Sequence, residues 1–121
     1  MINVRETEIR SESLEIVMEA YKVANNLPDS SINFKSKLVD KAFMVSSCIA
    51  NAFIALEDDH FETEIILALE GIVSINNDLN QLQIGPPFAK IDLQPFQLLL
   101  KNEKIELQEL LEAVKQIMLT P

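Results

Sequence analysis

The stretch SINFKSKLVDKAFMVSSCIANAFIAL, Ser31 to Leu56, decides the fold. Neither Gly nor Pro interrupts it, and Leu38, Ala42, Val45, Ile49, Ala52 and Leu56 follow alternating steps of four and three. That spacing keeps one stripe of a helix facing a partner helix, as in bundle packing. A second stripe of Val39, Phe43, Ser46, Ala50 and Phe53 lies beside the first. A helix apolar over so wide an arc needs cover on two sides, and a lone four-helix bundle is expected to cover one. The second stripe is therefore the expected interface between copies of the chain. Ala42 to Leu56 is fifteen residues without a charge, too short and too polar to span a bilayer, and reads as a buried helix.

The same period extends in both directions. Downstream, Phe61, Ile65, Ala68, Ile72, Ile75, Leu79 and Leu82 repeat it, with Asp59 and Glu62 spaced as a capping box at the start. Phe96, Leu100, Leu107, Leu110, Val114 and Ile117 hold one phase in a fourth segment, where Glu103 stands in the missing apolar place. Pro95 suits a helix start, and the interval from Gln83 to Pro95, with Gly85, Pro86 and Pro87, is expected to be the one long connection. Upstream, Ser11 or Ser13 is a candidate N-cap, and Leu14, Val17, Met18, Tyr21 and Ala24 make an apolar stripe ending before Pro28. Four such segments and no alternating strand pattern predict an all-α, antiparallel up-down four-helix bundle. The 121 residues form one domain, large enough for its own core.

Composition excludes familiar chemistries. Two Gly cannot build a phosphate loop or a dinucleotide fingerprint, and one Cys with one His cannot cage a metal. Glu57-x-x-His60 has the spacing of a di-iron motif but lacks the second pair, so it reads as helix capping. His60, among carboxylates, is no tuned base, and Cys48, with no cation at helical spacing, is an inert buried thiol. No catalytic group, cofactor or metal is expected. The formal charge of −9 disfavours nucleic acid and anionic membranes, although Lys35, Lys37 and Lys41 form a local candidate contact for nucleic acid. Residues 57–82 carry seven acids and no Lys or Arg, an outer face expected to stay in water. The charged start, Met1 to Arg10, does not resemble a signal peptide, and with a single Cys it suggests a cytoplasmic protein.

The run Glu15-Ile16-Val17-Met18-Glu19-Ala20-Tyr21-Lys22-Val23 with Leu27-Pro28, then Ser36-Lys37-Leu38 leading into Ala42, then Ser47-Cys48-Ile49-Ala50-Asn51-Ala52-Phe53, resembles a known family. It is that of the bacterial four-helix-bundle proteins first noticed as reading frames within intervening sequences of 23S ribosomal RNA genes, often labelled as ribosomal proteins. The likeness continues through Phe61 and Leu67-Ala68-Leu69-Glu70-Gly71. The family's polar signature falls here on Val39, Asp40, Cys48, Asn51 and Ala52, which marks a divergent member. The resemblance implies a ring-shaped homopentamer. It also relates the chain to the accessory variability determinant of diversity-generating retroelements, which implies a reverse transcriptase or another protein as partner and, as the alternative role, nucleic-acid binding through Lys35, Lys37 and Lys41.

Overall fold

The computed structural model describes residues 2–54, 60–84 and 92–119. Among them are four α-helices and no strand: α1 (Ile2–Asn25), α2 (Ile32–Ile54), α3 (His60–Ile84) and α4 (Gln94–Leu119), with a single 3-10 turn at Asp29–Ser31 before α2. Each helix packs on two neighbours in the cyclic order α1, α2, α3, α4, and the diagonal pairs face each other across the core. Neighbours run antiparallel, as cross-helix pairs such as Phe53 with Phe61, Lys115 with Glu62 and Arg5 with Glu109 require. The chain is thus an all-α four-helix bundle. No helix among the described residues is long and apolar enough to cross a membrane.

The expected core stripes of α2 and α3 are the observed ones. Leu38, Ala42, Val45, Ile49 and Ala52 face Phe61, Ile65, Ala68, Ile72, Ile75 and Leu79, all buried. Leu56 and the proposed capping residues Glu57 and Asp59 lie outside the described residues. The connection expected over Gln83 to Pro95 is shorter than anticipated, because α3 continues to Ile84 and α4 begins at Gln94. Asp92 accepts a bond from the Gln94 N–H through Oδ1 at 3.1 Å, and Pro95 falls in the first turn, where its missing N–H breaks no helical bond.

The first helix departs most from expectation. It starts by Ile2 rather than near Ser11, because residues before Ser11 continue the core register: Ile9 is buried one turn ahead of Ser13. Ser13 is not a cap. Its Oγ donates to the Arg10 carbonyl oxygen at 2.7 Å and sits 3.4 Å from Ser46 Oγ on α2. The stripe facing the core is Ile9, Ser13, Ile16, Ala20, Val23 and Leu27, with Val17 and Ala24 buried beside it. Leu14, Met18 and Tyr21, expected in that stripe, point outward instead. At the far end Asn26 Nδ2 donates to the Lys22 carbonyl oxygen at 2.8 Å, closing the last turn before Leu27 and Pro28 redirect the chain.

α2 packs more closely against α1 and α3 than α4 does against its own neighbours, and small residues make that possible. Ala42, Ala52, Ala20 and Ala68 are fully buried. At Gly71 of α3 a Cβ would lie 2.6 Å from Cγ2 of Val45 and 3.1 Å from Cε of Met44. Val45 is fully buried and β-branched, so it has little room to move aside. Gly71→Ala gains about 1 kcal/mol of helix propensity but meets an overpacking cost of about 1–3 kcal/mol. The expected net result is a melting temperature lowered by several degrees, checked by circular dichroism. A gain in stability would show that the seam between α2 and α3 is looser than described.

Candidate functional site

Two features stand apart from the ordinary core: an apolar outer face across α1 and α2, and a group of buried carboxylates between α1 and α4. The outer face follows from the phase of α1. With Ile16 and Ala20 turned to the core, Leu14, Met18 and Tyr21 fall on the flank beside α2, and Leu14 and Met18 are each 60% exposed. Tyr21 meets Phe43 of α2 edge to face, with ring centroids 6.0 Å apart, and Phe43 remains 48% exposed. Val39, Ser46 and Ala50, three of the expected interface residues, are half-buried beside α1. Phe53 is placed differently. It is 6% exposed and packs against Phe61 at 6.2 Å, so it belongs to the core of the single chain. α1 and α3 therefore pack on both flanks of α2, and the outer face that remains apolar is shared between Leu14, Met18 and Tyr21 of α1 and Phe43 of α2.

The three lysines do not make a free basic spot. Lys41 Nζ lies 2.6 Å from Oδ2 of Asp78 on α3, a half-buried ion pair, and Lys35 Nζ is 3.6 Å from Asp29. Lys37 is exposed. Neutralised cations release fewer counterions on meeting a phosphate backbone. Cys48 is buried, and burial, with Glu64 nearby, pushes its thiol up to about 11, which leaves it unreactive at neutral pH. His60 is exposed at the first turn of α3. An open groove of about 370 Å³ between α3 and α4 has Asn76, Asn80, Gln97, Lys101 and Lys104 along its walls and Leu100 at its base. Gln97 Nε2 donates to Asn80 Oδ1 there at 3.3 Å.

The carboxylate group is the larger surprise. Glu103 occupies a core position of α4, one step from Leu100 and Leu107, and is 0% exposed. Glu106, one turn on, and Glu12 of α1 are half-buried beside it, and one oxygen of each of the three lies within 4.8 Å of the others. Neither oxygen of Glu103 has a hydrogen-bond partner, and neither has Oε2 of Glu12. No ion pair among the described residues reaches any of the three. Burial, then the neighbouring charge of Glu12, holds the Glu103 carboxyl up at about 10. Burial and the same Glu12 raise Glu106 to about 7. The signal in the sequence is the phase of α4, which sets Glu103 among core positions. What pairs it with Glu12 is the contact between α1 and α4, ninety-one residues apart along the chain.

No family model, no curated protein and no solved structure matches the chain.

A carboxyl whose folded-state pKa lies above its ordinary value near 4.3 holds a proton that the unfolded chain has lost, so folding stability falls as pH rises between those two values. In the presence of a chelator, the denaturant midpoint is expected to fall between pH 5 and pH 9. Glu103→Gln is expected to flatten that slope and to add stability on the order of 3 kcal/mol at pH 8. Urea titrations across pH check both. A variant less stable than the parent at pH 8 would contradict the assignment.

Proposed function

We propose that the chain is a non-enzymatic interaction or scaffold module that works as a homo-oligomer of four-helix bundles. The observation that carries this reading is the apolar outer face of Leu14, Met18, Tyr21 and Phe43, which joins two helices. Contiguous apolar surface of this kind is typical of protein contact sites. A second copy of the chain is the occupant that fits it, because the core is complete without help and the exposed Leu14, Met18 and Phe43 side chains match an apolar counterpart. A closed ring needs two different surfaces on each copy, since a head-to-tail contact joins one patch to another. Ile66, Leu67 and Val73 on the outer side of α3 are apolar and exposed, and supply the second. Five copies is the number implied by the resemblance to the intervening-sequence proteins. The formal charge of −9 repels like copies, so added salt strengthens assembly. A cytoplasmic setting and a larger protein partner, such as a reverse transcriptase, belong to the same reading.

Light scattering coupled to gel filtration tests the proposal. The expected mass at micromolar concentration is an integral multiple of the chain mass, rising in stability with salt. The double variant Met18→Asp with Phe43→Asp is expected to run as a folded monomer, because both side chains are already exposed in the single bundle. A monomeric parent chain would overturn the reading.

A further inference from the structure

We propose that Glu12, Glu103 and Glu106 form a binding site for a divalent hard cation, Ca²⁺ in preference to Mg²⁺, that ties α4 to α1. Three observations lead there. Glu103 is fully buried, and as a carboxylate it has two acceptor oxygens with no donor, as does the buried Oε2 of Glu12. Buried polar atoms are nearly always satisfied, so two unpartnered oxygens on one core side chain call for a group the protein chain does not itself supply. Further carboxylates lie around them: Glu15 adds its field to Glu103, and Glu8 and Glu109 add theirs to Glu106. Among the described residues the nearby cations are engaged elsewhere, Arg5 with Glu109 and Arg10 with Glu6.

The donor set selects the ion. Oxygen donors alone, without imidazole or thiolate, favour hard cations. Three oxygens no more than 4.8 Å apart fit on a circle of radius at most about 2.8 Å, close enough for one cation with the flexible 2.3–2.6 Å oxygen bonds of Ca²⁺ to reach all three. Mg²⁺ sheds its waters reluctantly, which suits a fully buried ligand poorly. Half-buried Glu12 and Glu106 give the site an open side through which the ion enters and water completes its coordination. The seam it closes is more lightly packed than either seam of α2. Ion and proton compete for the same oxygens, so affinity rises with pH.

Thermal melts of the full chain in chelator, 1 mM CaCl₂, 1 mM MnCl₂ and 1 mM MgCl₂ at pH 8, with calorimetric titration of Ca²⁺, test the proposal. The expected result is one Ca²⁺ per chain and a melting temperature raised by at least about 5 °C, with a smaller shift for Mg²⁺. Glu103→Gln, which matches the protonated carboxyl in size and so folds, and Glu12→Gln are expected to abolish the shift. Glu70→Gln, on the exposed face of α3, is expected to retain it. Absence of a shift in the parent chain overturns the proposal and leaves the three carboxyls held by shared protons. A shift that persists in Glu103→Gln overturns it as well, since the ion then binds elsewhere on the acidic surface.

Discussion

The rest of the bundle depends on the way α2 is enclosed. Its apolar arc is wider than one neighbour can cover, and α1 and α3 close on it from both flanks, Ser46 against Ser13 on one side and Val45 against Gly71 on the other. Close approach there rests on side chains of one to three heavy atoms, and each fully buried Ala along α1, α2 and α3 brings backbones nearer. Once those three helices are set, α4 has a single groove left to fill. It does so with Phe96, Leu100, Leu107 and Leu110, and with one residue that does not match them.

That residue, Glu103, gives the bundle two unlike halves. The seams flanking α2 are closed by small side chains, with the Ser13–Ser46 pair and the Lys41–Asp78 ion pair among them, whereas the seam between α1 and α4 carries three carboxyls at its centre. A buried carboxylate without a partner is costly in a medium of low dielectric, and the chain relieves that cost with a proton or with a bound cation. Either solution makes the packing of α4 sensitive to conditions that leave α2 and α3 untouched. The outer apolar face lies on the opposite flank of α1 from this seam, so α1 takes part in the core, in the acidic centre and in the proposed contact between copies.

Much of the fold was legible in the sequence. The four-three steps of α2, α3 and α4 placed nearly every buried side chain of those helices, because their apolar arcs each have one clear centre. The first helix was harder. Leu14, Met18 and Tyr21 are as regularly spaced as Ile9, Ile16, Ala20 and Val23, and the larger side chains drew the reading toward the wrong stripe. Ser11 and Ser13 look like caps, yet Ser13 satisfies its own hydroxyl within the helix and packs as a small residue. The lysines of α2 were visible as charges, but Lys41 finds its partner in Asp78 of α3, 37 residues further along the chain.

The sequence by itself determined the class of fold, the phase of three helices, the lack of residues for several familiar chemistries and the uneven spread of acid. Those properties are local or additive, carried by periodicity and composition along the chain. Only the tertiary structure decided which of two competing stripes of α1 turns inward, that Phe53 belongs to the core, and that Glu12 meets Glu103 and Glu106. Each of these depends on the register between helices far apart in sequence. That register is set by how side chains of different size interlock across the bundle, a property of pairs of helices that no single segment contains.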